Sequence, residues 1–220
     1  MTSVTRSYRG ASADERRSRR RAALLAAGLE LLGTKGWAGT TVRGVCAQAG
    51  LNDRYFYESF PDLDALRLAV VDDLAAHGTA AILAATDAPR DLRARTRAVV
   101  TAIVDFFTAD PRRAHILVHE LQASPLLRER RRQIIQALVA IFTVQVHEIL
   151  DEVPVSDADV ELTALTLIGG GLELVTSWFR GDVAVDRDHL IDFIIALMLT
   201  STDLAAALER EARTGPHRDG

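Results

Sequence analysis

Residues 40–60 read TTVRGVCAQAGLNDRYFYESF, and the fold turns on this stretch. Its apolar residues Val42, Val45, Leu51, Phe56 and Phe60 are spaced for two short helices joined by a tight turn. Gly50 stands where that turn needs a backbone conformation a Cβ would resist. Thr40, three residues before Arg43, is the expected N-cap of the first segment, VRGVCAQA, and Asn52 that of the second, DRYFYESF. Phe56 and Phe60, at i and i+4, point inward together, which turns Arg54, Tyr55 and Glu58 outward. Ala47 leaves room for the two helices to pack closely.

Upstream, leucines 24, 25, 29 and 32 recur at helical spacing, predicting a helix from Ser12 or Asp14 to Gly33, with Gly36 ending the segment. Three helices with tight turns within residues 14–60 describe a helix-turn-helix unit. Downstream, Pro61 and Asp62 open a long helix with Asp62 as its cap. Pro89, Pro111, Pro125 and Pro154 then stand at boundaries, dividing the remainder into helical segments near 62–85, 89–109, 111–122, 125–152, 157–180 and 187–210. No strand alternation and no internal repeat survives a count, so the expected class is all-α with about nine helices. The expected organisation is a disordered basic arm at 1–13, the helix-turn-helix at 14–60, a second helical domain at 61–213 and a frayed tail at 214–220.

The net charge of −4 conceals an asymmetry. Residues 1–60 hold 10 Lys and Arg against 5 Asp and Glu, whereas the other 160 hold 16 against 25. A basic first quarter on an acidic remainder suits a chain of which only the beginning meets a polyanion. The one cysteine, Cys46, excludes an intramolecular disulfide and fits a reducing compartment. In its short packed helix, Cys46 reads as a small core residue rather than as the exposed thiolate of a redox sensor. Arg16–Arg21 before AALLAAGLELL imitates a signal peptide, but Glu30 interrupts the apolar run. Glu173 breaks the best candidate for a membrane span, and a cytoplasmic location is expected.

Thr40, Thr41, Val42, Val45, Ala49, Gly50, Tyr57, Phe60 and Leu66, with Gly36 ahead of them, together resemble the N-terminal signature of the tetracycline-repressor-like (TetR) family. GGGLELVTSWFRG, residues 169–181, more loosely resembles the dimerisation helix of many members. The sequence departs from the usual pattern at Arg54-Tyr55, at Glu58-Ser59 and at Leu63, which stands where a phosphate-binding lysine is common. The resemblance implies a homodimeric transcriptional repressor that binds a palindromic double-stranded DNA operator and is released by a small-molecule effector. An activator or DNA-organising protein with the same head is the alternative.

The resemblance places residues 52–60 in the major groove, where base pairs are distinguishable. Arg54 can donate to a guanine edge, or remain a solvated arginine. Tyr55 offers a ring to a thymine methyl, or packs on the first helix. Asn52 serves as cap or as base reader. Thr41, Arg43, Tyr57 and Ser59 suit phosphate contacts, and the arm with Arg6, Arg9 and Arg16–Arg21 could reach the minor groove.

In the second half, Leu167, Gly170, Leu174 and Trp178 fall on one stripe, and Leu190, Ile194, Leu197 and Met198 on another; both are expected at a dimer interface. Phe106, Phe107 and Phe142, with polar His119, Thr143, His147 and Glu173, are candidates for an effector cavity. His115 and His119 stand at a spacing compatible with a metal, but no third ligand is evident, so neither metal nor cofactor is expected. No nucleophile-base motif or glycine-rich phosphate loop is found, which argues against an enzyme.

Overall fold

The computed structural model describes residues 12–86, 91–122, 124–149, 156–204, 207, 208 and 210. The arm with Arg6 and Arg9 and the tail at 214–220 lie outside the described residues. The described residues form nine α-helices and no strand: α1 (Ala13–Gly39), α2 (Val42–Ala49), α3 (Asp53–Ser59), α4 (Leu63–Thr86), α5 (Leu92–Thr108), α6 (Pro111–Val118), α7 (Pro125–Ile149), α8 (Asp157–Arg180) and α9 (Arg187–Thr200). Short 3-10 turns follow α6 and α9. The chain packs as two units, Met1–Asp72 and Asp73–Gly220. The boundary falls inside α4, beyond the Phe60–Pro61 junction, because Leu66 and Val70 belong to the core of the first unit.

In the first unit α1 starts with a reciprocal capping box: the Ser12 hydroxyl accepts from the Glu15 amide, and the Glu15 carboxylate accepts from the Ser12 amide. Gly36, at φ 68° and ψ −174°, breaks the helical path inside α1. Thr40 does not cap α2 as expected. Its hydroxyl turns back to donate to the Gly36 carbonyl at 2.8 Å, and Thr41 accepts from the Gly44 amide in its place. Leu24, Leu32, Val45, Phe56 and Leu66 are fully buried together. A Cβ on Gly28 would stand 2.9 Å from a Val70 methyl, so glycine lets α1 and α4 approach closely.

One buried side chain ties the turns of this unit. The Arg67 guanidinium, on α4, donates to the Trp37 carbonyl at 2.6 Å, to the Thr40 carbonyl at 3.3 Å and to the Asp64 carboxylate at 2.9 Å. It also lies 3.6 Å from the Trp37 ring centroid, a cation–π contact.

In the second unit α5 packs against α9 and α7 against α8. Val100, Val104, Ile191 and Ile195 form the α5–α9 core. Arg97 pairs with Asp192 at 2.7 Å, and Arg187 with Asp105, across the same helix pair. Helices α4 and α8 are long and apolar enough to cross a bilayer by length and composition. Their apolar residues are partly spent inside the protein, as Leu66, Val70 and Val71 in α4 and Val160, Ala164 and Val175 in α8.

Replacing Arg67 by Met keeps much of the stem but leaves the Trp37 and Thr40 carbonyls without their charged donor. Hydrogen bonds to charged groups are worth roughly 1.5–3 kcal/mol, so urea unfolding should show a loss of about 2 kcal/mol; a loss below about 0.5 kcal/mol would discount the clamp.

Candidate nucleic-acid interface and effector cavity

The turn between α2 and α3 is built as its residues dictate. Gly50 is left-handed at φ 65° and ψ 31°, and its amide ends α2 on the Ala47 and Cys46 carbonyls. Asn52 then caps α3, its side-chain oxygen accepting from the Tyr55 amide at 3.2 Å. Phe56 and Phe60, buried and 5.9 Å apart, hold α3 onto the core.

What remains outward is a compact set of donors. Arg43 on α2 is exposed and makes no side-chain hydrogen bond or ion pair among the described residues. Thr41 accepts through its oxygen, which leaves its hydroxyl proton free to donate. Tyr57 is 59% exposed, its ring edge-on to Phe56. Arg54 projects furthest, and its Nε donates to Glu58 at 3.0 Å one turn later.

Tyr55 is less open than its outward placement suggested. Arg20 of α1 lies 4.5 Å above its ring and reaches Glu58 at 3.8 Å. Ser59 is half-buried, and its carbonyl receives a weak contact from Arg21 at 3.5 Å. Arg20 and Arg21 therefore fix the flank of α3 from α1. Neither contact was evident from spacing alone, because 38 residues separate Arg21 from Ser59.

Beneath this face Cys46 is 3% exposed. Burial pushes its thiol above the ordinary range, and the neighbouring Asp53 carboxylate pushes it further. It stays protonated at neutral pH, which fits a packing residue.

Comparison with known proteins bears on this unit directly. Residues 24–70 match the sequence model described as bacterial regulatory proteins, tetR family. They form a TetR-family domain. Around this domain the whole fold is also shared: a protein assigned to the TetR regulators from Syntrophomonas wolfei superposes with TM-score 0.72 at 17% identity, over 84% of this chain and 95% of that one. The fatty acid degradation regulator FadR from Bacillus halodurans gives TM-score 0.70 at 17% identity, over 82% and 94%. FadR from Bacillus subtilis, in complex with stearoyl-CoA, gives 0.63 at 20% identity, over 80% and 96%. None of the curated proteins matches the chain. The sequence match covers residues 24–70, and the solved structures share the fold.

The Asp73–Gly220 unit holds an apolar cavity of about 220 Å³. Leu138, Ile141, Phe142 and Val146 of α7 face Val99 of α5 and Leu199 of α9 across it. Of the expected effector residues, Phe142 lines the cavity, and Phe106, Phe107, His119, Thr143, His147 and Glu173 do not. Phe106 instead lies under Arg113, with 4.4 Å from guanidinium to ring centroid, and Phe107 packs on Phe179. His119 is an exposed helix end, His147 pairs with Asp157 at 3.5 Å, and Glu173 pairs with Arg180 at 3.2 Å on the surface. Their polarity marked surface positions, and helical phase carried them away from the cavity. Thr86, Arg95, Thr96, Gln145, Thr163, Ser201 and Thr202 are the polar residues on its wall. Among the described residues no three histidine, cysteine or acidic side chains converge to hold a metal.

The stripe expected at a dimer interface also divides. Leu190 is 1% exposed, and Ile194 and Met198 pack on the α5–α9 core. The large apolar side chains left open on α9 are Phe193 and Leu197. On α8 Leu162 and Leu165 are exposed, as is Gly170, while Leu167, Leu174 and Trp178 are half-buried. The Trp178 indole donates to the Val185 carbonyl at 2.8 Å.

The protonated, enclosed Cys46 thiol should ignore an aromatic disulfide reagent in native protein at pH 8 and titrate fully in denaturant. A fast native reaction would contradict its burial.

Proposed function

We propose that this protein is a homodimeric, cytoplasmic transcriptional repressor, which holds a palindromic DNA operator through α2 and α3 and leaves it when a small-molecule effector binds the second unit. The observation that carries this reading is the open donor face of the TetR-family domain: Arg43, Thr41, Arg54 and Tyr57 stand exposed around a buried, doubly capped turn. In the groove Arg54 exchanges Glu58 for a base edge, a bidentate guanine contact being the usual one for arginine. Asn52 stays as the cap of α3. Thr41, Arg43, Tyr57 and Ser59 take backbone phosphates, which set register without reading sequence.

A single helix-turn-helix covers too little DNA for tight specific binding, and two copies on one face of a duplex need reading heads about 34–36 Å apart. The exposed Leu162 and Leu165 on α8 and Phe193 and Leu197 on α9 supply apolar surface for a second copy. A Cβ on Gly169, Gly170 or Gly171 would meet nothing within 4 Å, so packing inside the subunit does not require this costly triplet. Close approach of a partner helix gives it a reason.

The apolar cavity supports the effector. Among structures of the same fold, FadR from Bacillus subtilis is in complex with stearoyl-CoA, and the multidrug binding protein EbrR with imidazole. Only an effector with different affinities for the DNA-competent and released states can shift the protein between them.

The test uses a duplex selected from a random pool by the purified protein, compared with a scrambled duplex across a salt series. Arg54→Ala should erase most of the preference between them, about 1–3 kcal/mol. Arg43→Ala should weaken both equally and lower the salt slope by about one. Equal loss on both duplexes in the Arg54 variant removes it as a base reader, and failure to select any duplex overturns the repressor reading.

A further inference from the structure

The cavity of the second unit has one charged residue on its wall, Arg95 of α5, among apolar and hydroxyl-bearing side chains and the Gln145 amide. Its Nε is fully buried and has no hydrogen-bond partner, and the side chain makes no ion pair among the described residues. The other polar side chains on the wall have already committed protons to the protein. The Thr86 hydroxyl donates to the Leu83 carbonyl at 2.7 Å, Thr96 to Leu92 at 2.8 Å and Thr163 to Asp159 at 2.7 Å. Ser201 donates to Met198 at 2.6 Å, and Thr202 to Leu199 at 2.7 Å. The Gln145 amide donates to Glu148 at 2.8 Å. A hydroxyl has one proton, so these five hydroxyls offer a ligand only lone pairs, while the Gln145 amide keeps one proton. Arg95 alone brings a planar fork of uncommitted donors, the geometry that matches a carboxylate.

We propose, building on the reading that this unit takes an effector, that the effector is an anionic amphiphile: a medium-chain carboxylic acid whose carboxylate is bound by Arg95 and whose chain fills the apolar wall. A neutral hydrocarbon would leave the buried Nε unmet, and a cation would face a fixed positive charge. The size agrees. At about 220 Å³ the cavity exceeds the roughly 150 Å³ that admits benzene and falls below the roughly 300 Å³ at which drug-sized sites begin. Leu138, Ile141, Phe142 and Val146 line it along one face of α7 and supply apolar surface for the chain.

The experiment is calorimetric titration of the full chain with decanoate, 1-decanol and decylamine, repeated on Arg95→Gln and Arg95→Lys. Thermal unfolding without ligand reports whether each variant folds. The expected result is decanoate binding once per chain, at least tenfold tighter than 1-decanol, with decylamine weakest. Arg95→Gln should bring decanoate to within about twofold of 1-decanol, whose own affinity stays unchanged, and Arg95→Lys should keep part of the preference. Should Arg95→Gln fail to fold, the ranking of the three ligands on the native protein still decides. Equal binding of decanoate and 1-decanol overturns the anionic class while leaving an effector in place. Tighter binding of decylamine does the same. Binding of none of the three overturns this proposal, while the effector reading falls only if no small molecule releases the protein from its selected duplex.

Discussion

The first unit depends on a buried cation whose partners are mostly carbonyl oxygens. Arg67 reaches from α4 to the end of α1 and to the residue that leads into α2, and it stacks on Trp37. Those carbonyls lie where a helix has ended, and the Trp37 oxygen receives one long backbone bond, from the Thr40 amide at 3.4 Å. A guanidinium in that place satisfies two of them and keeps its charge beside the half-exposed Asp64 carboxylate. The α1–α2 corner, the position of α3 beyond it and the first turns of α4 are thereby joined through one residue. A lysine would offer a point charge without the planar stack and the forked donors.

Much of this unit was legible from the sequence because its determinants are local. Ser12 with Glu15, Gly50, Asn52 and Asp62 act within three or four residues of where they stand, and each does what its side chain dictates. Thr40 and Thr41 were the exception. Two adjacent hydroxyls compete for one cap, and the loser is decided by the Gly36 carbonyl and by Arg67, neither of which belongs to the cap motif. Arg67 itself left one trace, the i, i+3 spacing from Asp64, which is indistinguishable from an ordinary surface pair.

The second unit was legible in its helices but not in its faces. Pro89 and Pro111 stand close to where α5 and α6 begin, whereas the caps at Asp91, Asp110 and Asp186 emerge only in the structure. Inside α9 nearly every residue from Leu190 to Leu199 is apolar, so the stripe Leu190, Ile194, Leu197 and Met198 competes with others, and the phase that buries Leu190 and exposes Phe193 comes from packing against α5. The cavity is harder still. Its wall takes residues from α4, α5, α7, α8, α9 and the turn beyond, so its polar members are conspicuous only once those helices have met.

The central claim is that DNA lies against the exposed face of α2 and α3, and covalent trapping tests it most directly. A photoactivatable phenylalanine derivative at Tyr57, which is exposed and whose ring the derivative keeps, should crosslink to the selected duplex on irradiation; the same group at Leu162, exposed on α8, should not. Crosslinking from Leu162 with none from Tyr57 would contradict the account.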